Sequence, residues 1–430
     1  MSNIFKMFKN MGIFPLTVIQ NFGVQILNMM TSIFLSIVLA RLLGPSDFGL
    51  FSLNYTLVNV VAIFVVIGLP AFLSREIAIF ASRRDWHLAN QKYVASIKIV
   101  LAASAIAVAV FLFLFFALPD FQRVVGGNVF FATLALLPVF SIMRVTGGAL
   151  RGTQQVAKSQ FLETIALPFF VLLGVASVYF SSSKGISASN VLLLFCISAL
   201  CVFLLLRREL SKKIRIDGHA TCKAVQLKEL VRSSIPFSLI GAAAVLNSYT
   251  DIIMLSWYVS PDEVGIYRIA SQGAVFIAFG LQIAQMIGAP VFAQLGSEGA
   301  TAELNAVFGH TRLLSAGVAV FVFALFAWLG QPLIEFLFGS SFSAAYLPLV
   351  ILGCGYLINA SFGPVGILLS MCNQEGLVSR ALWLLVAANV VFNFVLIPQF
   401  GMIGGAIATS ITVALVHPFL WLIAKRKGII

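Results

Sequence analysis

The segment RRELSKKIRIDGHATCKAVQLKELVR, Arg207–Arg232, decides how this sequence folds. It carries eight Lys and Arg against three Asp and Glu, and long apolar segments flank it on both sides. A strongly cationic segment between membrane spans stays on the cytoplasmic side, because positive charge is poorly translocated. The segment therefore predicts a cytoplasmic linker, residues 207–232, between two membrane-embedded halves, residues 1–206 and 233–430.

The composition predicts an all-α integral membrane protein. Of the 430 residues, 60% are hydrophobic and 10% are charged, and the mean hydropathy is +1.03. These values exclude an ordinary soluble domain, and the apolar runs are far too long for the strands of a membrane barrel. The net charge of +12 lies in segments beside the spans. This placement favours membrane lipids, and not nucleic acid, as the partner of the cations.

Hydropathy and charge predict twelve spans with both termini in the cytoplasm. Of the 27 Lys and Arg, 22 then fall on the cytoplasmic side, four on the opposite side, and one, Arg144, within a span. Such a bias is the usual signal of membrane orientation. The predicted spans are residues 16–40, 48–69, 93–118, 128–150, 161–180, 188–206, 235–258, 264–292, 313–329, 347–369, 378–397 and 402–424.

An internal repeat predicts two six-helix lobes with the same orientation. Gly44–Phe51, GPSDFGLF, joins the first two spans, and Ser260–Tyr267, SPDEVGIY, joins the seventh and eighth spans 216 residues later. In both, proline fixes the turn, an acid suits the start of the next helix, and glycine permits close packing. Because each half holds six spans, the lobes are related by a parallel pseudo-two-fold axis, an arrangement that transporters use to place a substrate path between two lobes.

Five short motifs, in order along the chain, carry a family resemblance. They are ARLLGPSDFG at Ala40–Gly49, SREIA at Ser74–Ala78, LRG at Leu150–Gly152, NFVLIP at Asn393–Pro398 and GGAIAT at Gly404–Thr409. Their order and spacing resemble the polysaccharide-biosynthesis flippases, the translocases of O-antigen or capsule repeat units. These belong to the multidrug/oligosaccharidyl-lipid/polysaccharide (MOP) exporter superfamily. The resemblance covers essentially the whole chain.

The resemblance implies a MATE-like, twelve-helix transporter of the bacterial inner membrane. Such flippases move undecaprenyl-pyrophosphate-linked sugar repeat units from the cytoplasmic to the periplasmic leaflet by alternating access, during assembly of O-antigen for lipopolysaccharide or of capsule. A polysaccharide polymerase and a chain-length regulator are the further partners that the resemblance implies. It implies no cofactor, no metal and no catalytic residue.

Four ionisable side chains within the spans have both a structural and a functional interpretation, because such groups are costly in lipid. Arg144 and Glu163 flank the fourth turn on the cytoplasmic side, and Asp251 and Arg268 flank the turn at Pro261 on the opposite side. Each pair can form an ion pair on adjacent antiparallel helices. Alternatively, the two arginines contact a pyrophosphate, since guanidinium binds phosphate oxygens bidentately and stays charged when partly desolvated. The two carboxylates are the candidates for coupling transport to an ion.

Further candidate substrate contacts lie at span ends and on the first span. Arg75 and Arg41 either contact substrate or serve structure, through snorkelling and through the dipole of the first helix. Asn21, Gln25 and Asn28 lie at i, i+4 and i+7 and so share one helix face. This face is predicted to look into a cavity, where amides reach sugar hydroxyls, although interhelical hydrogen bonding is the commoner use of such amides.

Two rival functions follow from other protein classes. An embedded sugar polymerase or ligase would carry a carboxylate pair or a nucleophile–base arrangement, and the sequence shows neither, so no enzyme is predicted. A proton- or sodium-coupled drug exporter of the same superfamily is the alternative to the flippase. It is expected to carry a buried carboxylate in its N-terminal lobe, and the first span, residues 16–40, has no Asp or Glu.

Overall fold

The structure, a computed structural model, describes residues 16–83, 85–181, 185–214 and 227–429, with side chains from residue 23 onward except at 227, 236, 240 and 244. Nearly all of the described chain is helical, which confirms the all-α prediction. A π-helical segment, Leu162–Ala166, precedes α7, and 3₁₀ turns at Phe276–Ala278 and Ser340–Ala345 precede α11 and α13. The α-helices are α1 Leu16–Val66, α2 Leu69–Arg83, α3 Trp86–Ala117, α4 Pro119–Val125, α5 Gly127–Gly152, α6 Val156–Phe161, α7 Leu167–Ser181, α8 Ala188–Ser211, α9 Leu227–Tyr258, α10 Pro261–Val275, α11 Phe279–Glu298, α12 Thr301–Phe338, α13 Tyr346–Ser361, α14 Val365–Met371 and α15 Glu375–Arg426.

Long apolar helices confirm a multi-span membrane protein. In the described ranges, nine helical segments are long and apolar enough to cross a bilayer, and the bent pair Phe237–Ala243 and Val245–Tyr258 brings the number to ten. The two longest of the nine, Gly23–Val66 with 44 residues and Glu375–Arg426 with 52, are long enough to cross twice. A straight helix as long as the second would extend about 78 Å, against a hydrocarbon core of about 30 Å.

A glycine breaks each of these two long helices. Gly44 has φ 71° and ψ 175°, and Gly401 has φ 55° and ψ −133°. Positive φ is adopted readily only by glycine. The chain therefore turns at both positions, which coincide with the predicted connections after the first span and after the eleventh.

The second copy of the turn motif begins α10 with a capped helix terminus. The Ser260 Oγ accepts a hydrogen bond from the backbone N–H of Glu263 at 3.4 Å, and Pro261 is the first helical residue. Asp262 and Glu263 lie in the first turn, where the helix dipole favours acids. The local roles predicted for proline and for the acids are confirmed at this turn.

Contacts divide the chain into two compact units. The first holds the chain up to Leu43 and Leu53–Val245, and the second holds Gly44–Ser52 and Leu246–Ile430. Of the basic segment, residues 207–211 continue α8, residues 228–232 lie in α9, and residues 215–226 are outside the described ranges. The predicted division into residues 1–206, 207–232 and 233–430 stays a prediction.

In the first unit, α5 is the central helix and packs against α2, α3 and α8. Glycines let the helix backbones approach, as is common between membrane helices. A Cβ on Gly148 would lie 2.4 Å from the carbonyl oxygen of Pro70, and one on Gly152 would lie 2.7 Å from the Cβ of Ile77. This close approach fixes α2 against α5.

In the second unit, the two copies of the turn motif meet each other. A Cβ on Gly49 would lie 1.8 Å from the carbonyl oxygen of Pro261. Reciprocally, a Cβ on Gly265 would lie 2.4 Å from the carbonyl oxygen of Pro45. Gly49 and Gly265 correspond at the offset of the repeat, as do the two prolines, so equivalent residues of the two copies make equivalent contacts.

Replacing either Gly49 or Gly265 with Ala is expected to lower the free energy of unfolding by about 2 kcal/mol or more, because the new methyl group overlaps a backbone carbonyl. Thermal unfolding of the purified variants in detergent measures the effect. Gly317→Ala is the matched control, since an added carbon at this α12 position would meet no heavy atom within 4 Å. Equal melting temperatures for all three variants would contradict the reciprocal contact.

Candidate functional site

Glu163 lies on the π-helical segment of the first unit and is the centre of a polar cluster. Its carboxylate forms an ion pair with Arg151 on α5. The Ser159 Oγ lies 2.8 Å both from Glu163 Oε1 and from the carbonyl oxygen of Gly147. Gly147 leaves room for the carboxylate, since a Cβ there would lie 2.0 Å from Glu163 Oε1. Single π turns inside α-helices occur frequently at functional sites.

Arg144 forms no ion pair with Glu163 within 4 Å, so the first of the two interpretations given for this pair is not what the structure shows. Its Nη2 donates a hydrogen bond to Asn59 Oδ1 at 3.0 Å, and its guanidinium lies 4.6 Å from the centroid of the Phe140 ring. Arg151 follows Arg144 by seven residues, about two helical turns, and reaches the carboxylate in its place. The half-buried Arg144 has no carboxylate within 4 Å in the described part of the chain.

Asp251 on α9 is a buried carboxylate, 4% exposed, in the second unit. Its Oδ2 accepts a hydrogen bond from the hydroxyl of Tyr267 at 2.5 Å, and its Oδ1 accepts one from the N–H of Ile252 at 2.8 Å. The predicted ion pair with Arg268 is not formed, and the half-buried Arg268 instead lies 5.6 Å from the ring centroid of Tyr249. Adjacent residues are about 100° apart around a helix, so the hydroxyl and not the guanidinium meets Asp251.

Tyr267 connects Asp251 to buried polar side chains on α15. The Thr409 side chain lies next to the Tyr267 hydroxyl, and Asn389 Nδ2 lies 3.3 Å from Thr409 Oγ1. Asn393 Nδ2 donates to Asn389 Oδ1 at 3.0 Å. The buried Asn393 Oδ1 has no hydrogen-bond partner in the described part of the chain. A continuous polar chain therefore runs from a carboxylate to an unsatisfied amide oxygen.

Glu76, on α2 outside the candidate spans, is held between two cations. Its carboxylate pairs with Arg75 at 3.2 Å and with Lys92 on α3, and the Glu76 side chain is 15% exposed. Burial disfavours the charged form, but the hydrogen bonds and charges of Lys92 and Arg75 together lower the pKa of Glu76. The guanidinium of Arg75 also lies 5.3 Å from the ring centroid of Phe237. Arg75 is therefore part of a compensated group.

The remaining candidates lie on α1. Arg41 is exposed, and Gln25 and Asn28 are half-buried. The Oδ1 of Asn28 accepts a hydrogen bond from the Ser32 Oγ at 3.3 Å, which is local within the helix. The side chain of Asn21 lies outside the described residues. The role of this helix face in contacting sugar hydroxyls stays a prediction.

Comparison with known sequences gives the family. The model of the polysaccharide biosynthesis protein family matches residues 17–296. The chain belongs to this family. The capsular polysaccharide biosynthesis protein CapF of Staphylococcus aureus is 22% identical over 394 residues, which are 91% of this chain and 94% of the relative. AglR, a probable flippase of Haloferax volcanii, is 24% identical over 419 residues, which are 92% of this chain and 80% of the relative.

Comparison with solved structures shows which known fold this chain shares. An inward-facing multidrug resistance MATE family transporter of the MOP superfamily is similar with a TM-score of 0.74. The similarity covers 93% of this chain and 94% of that chain at 14% sequence identity, which shows the fold alone. The family resemblance stated from the sequence motifs is confirmed, and the fold is MATE-like.

In this member of the polysaccharide biosynthesis protein family, the charged groups of the spans differ in how they are compensated. Glu163 is compensated by Arg151, whereas Asp251 receives only hydroxyl and N–H donors. Arg144 and Arg268 have no carboxylate within 4 Å among the described residues, so each can accept an anionic group. No group of three or more His, Cys, Asp or Glu in the described ranges could hold a metal ion.

Sequence reasoning missed three of the contributing side chains, Asn59, Arg151 and Tyr267. The seven-residue spacing of Arg144 and Arg151 was a usable signal, because it places both on one face of α5. Tyr267 is the last residue of the repeated turn motif, so its position next to Asp251 could also have been proposed. Asn59 gave no signal beyond being an amide within a span.

Glu76→Gln is expected to lower thermal stability near neutral pH and to have less effect as the pH falls. The pKa of Glu76 in the folded protein lies below its ordinary value of 4.5. The ion pairs therefore stabilise the fold above that value, and the stabilisation is lost as the pH falls through the lower, folded-state pKa. Melting temperatures of both proteins between about pH 7 and about pH 3 test this.

The exposed Glu303 on α12 supplies the control for this comparison. Glu303→Gln should leave the melting temperature close to that of the wild type across the same pH range. A difference between wild type and Glu76→Gln that does not change with pH would show that the charge of Glu76 contributes nothing to stability.

Proposed function

We propose that this protein is a flippase for lipid-linked oligosaccharides. Its cargo is an undecaprenyl-pyrophosphate-linked sugar repeat unit, which it moves from the cytoplasmic to the periplasmic leaflet of the bacterial inner membrane by alternating access. Family membership supports this, together with relatives named for capsular polysaccharide biosynthesis and as a probable flippase. The chain acts as a transporter and not as an enzyme. A polysaccharide polymerase and a chain-length regulator are its proposed partners in assembly.

The proposed transporter has twelve spans in two six-helix lobes. Ten candidate segments in the described ranges become twelve when Gly23–Val66 and Glu375–Arg426 are each divided at the glycine that breaks the helix. The lobes comprise residues 1–206 and 233–430, and the basic linker joins them. The excess of 22 cations over four supports cytoplasmic termini, and the reciprocal contact of the two turn motifs supports the parallel repeat.

Two arginines within the spans, Arg144 and Arg268, have no carboxylate within 4 Å among the described residues, and this observation carries the proposal. A cation in a span is costly unless an anion or a polar group meets it. Asn59 accepts a hydrogen bond from one N–H of the Arg144 guanidinium, and the Phe140 ring lies against the guanidinium. The other N–H donors of Arg144 are available to a ligand. We assign Arg144, and by the same reasoning Arg268, to the pyrophosphate of the cargo.

The other polar candidates are proposed as weaker contacts. Arg41 and Arg75 lie near span ends, at the level of the phosphates in the headgroup layer, and Arg75 is the weaker of the two candidates because Glu76 already pairs with it. The amides of Asn21, Gln25 and Asn28 can meet sugar hydroxyls. Since the sugar part of such a cargo varies while its pyrophosphate does not, the amides would affect selectivity more than the capacity to transport.

Asp251 is the proposed site of coupling to a proton or a sodium ion. It is a buried carboxylate that receives neutral donors alone, and a chain of polar side chains leads from it to an unsatisfied amide oxygen. Glu163 is assigned to structural pairing, because Arg151 holds it. The alternative function is a drug exporter of the same fold, which would also use a coupling site of this kind. The two functions are therefore distinguished by the molecule that is transported and not by the coupling to an ion.

Arg144→Ala and Arg268→Ala are each expected to reduce transport of a lipid-linked oligosaccharide about tenfold or more, because each removes a bidentate donor to phosphate. Lys at the same positions is expected to restore part of the transport, because it keeps the positive charge but not the bidentate geometry. The measurement is the rate at which the sugar becomes accessible to an external lectin in proteoliposomes. Arg123→Ala, at an exposed cation of α4, is the control. Wild-type rates in both Ala variants, or transport of hydrophobic cations with no transport of the sugar lipid, would overturn the assignment.

Asp251→Asn is expected to abolish the response of the transport rate to an imposed proton or sodium gradient. The amide keeps a hydrogen-bonding partner for Tyr267 but cannot carry a charge. Transport with and without each gradient identifies the ion. Glu163→Gln is the comparison, and should lower thermal stability while the gradient response persists. A gradient response in Asp251→Asn equal to that of the wild type would remove Asp251 from coupling.

A further inference from the structure

Two cations and two aromatic rings form a continuous cluster in the second unit. The guanidinium of Arg312 on α12 lies 5.9 Å from the ring centroid of Phe362. Phe362 meets Trp421 on α15 edge-on, with 6.1 Å between the ring centroids, and Lys425 Nζ lies 5.3 Å from the ring centroid of Trp421. We name Arg312, Phe362, Trp421 and Lys425 the cation–aromatic cluster.

Arg312 is oriented by the backbone and keeps most of its donors free. Its Nε donates a hydrogen bond to the carbonyl oxygen of Ser361 at 2.9 Å. Gly363, at φ +75°, lets the chain pass so close that a Cβ there would lie 2.7 Å from the Arg312 Cβ. Among the described residues, neither Arg312 nor Lys425 has a carboxylate within 4 Å, and both are exposed. The two terminal amino groups of the guanidinium are therefore available to a ligand.

A similar group in the first unit contains its own anion. Arg75 and Lys92 both lie within 6 Å of the centroid of the Phe72 ring, and Glu76 forms an ion pair with each of them. The cation–aromatic cluster has the same chemistry without the carboxylate. This contrast indicates that the anion of the second cluster is supplied from outside the protein.

The surroundings of the cluster identify that anion as part of a lipid. Leu313, next to Arg312, is 72% exposed, and Leu422, next to Trp421, is 52% exposed. Both lie on candidate membrane spans, so their exposed surface faces hydrocarbon. Trp favours the level of the headgroups, with its ring against the acyl chains and its N–H toward water. Cations at that level meet phosphates.

We propose that the cation–aromatic cluster binds the phosphate headgroup of an anionic phospholipid of the bilayer. Arg312 donates two parallel hydrogen bonds to phosphate oxygens, and Lys425, beside Trp421, adds a second positive charge. Phe362 and Trp421 hold the two cations in place and contact the acyl chains. In the proposed orientation this site lies in the cytoplasmic leaflet. It is separate from the residues assigned to the cargo.

The test measures lipid binding by the purified full-length protein in detergent. Phosphatidylglycerol is titrated and bound lipids are counted by native mass spectrometry, with phosphatidylcholine as the zwitterionic probe that carries no net charge. Arg312→Gln and Lys425→Gln are each expected to weaken phosphatidylglycerol binding about fivefold, and the double variant about 30-fold. Arg426→Gln, at the next residue of the same helix end, should bind as the wild type does. Melting temperatures confirm that the variants are folded.

Several results would overturn the proposal. They are wild-type binding of phosphatidylglycerol by the double variant, equal weakening by Arg426→Gln, and equal binding of phosphatidylcholine by the wild type. Tighter binding of an isoprenyl diphosphate than of phosphatidylglycerol, lost in the same double variant, would reassign the cluster to the cargo. Because the readout is binding, a failure of the proposed transport activity would leave this test intact.

Discussion

A charge within a bilayer has to be compensated by the protein or by a ligand, and this constraint organises the polar groups of the structure. Water cannot solvate the charge, and lipid tails offer no donors or acceptors. Glu163 meets the constraint with Arg151 and a serine hydroxyl. Arg144 meets it only in part, with an amide and an aromatic face. The donors of Arg144 that the protein does not use stay available to an anionic ligand.

The architecture could be predicted from the sequence because lipid permits few solutions. Long apolar runs must be helices, and glycine followed by proline ends one span and begins the next at Gly44. The ends of helices were less predictable. The third span was predicted to begin at residue 93, but α3 begins at Trp86, where the Asp85 carboxylate accepts a hydrogen bond from the N–H of Leu88. Polar residues continue the helix beyond the hydrocarbon, so hydropathy cannot mark the terminus.

The partners of charged side chains could not be predicted for a different reason. Hydropathy and turn positions give the depth of a residue in the membrane, and depth alone allowed Asp251 to pair with Arg268. Pairing also depends on rotation about the helix axis, and one residue changes that rotation by about 100°. Tyr267 has nearly the same depth as Arg268 and the correct rotation. The repeat gave no help, since Arg268 corresponds to Ser52 and Asp251 to Leu35, so the two copies share a backbone and not a set of polar groups.

The meeting of Gly49 with Pro261 and of Gly265 with Pro45 has a consequence for biosynthesis. The first copy of the motif leaves the ribosome 216 residues before the second, which is an interval of about 10 to 40 s at ordinary rates of translation. Throughout that interval the turn at Gly44–Phe51 lacks its packing partner, the turn at Ser260–Tyr267. The first helices must therefore insert into the membrane while this turn is still unpacked, and the contact forms only after the second turn has been synthesised.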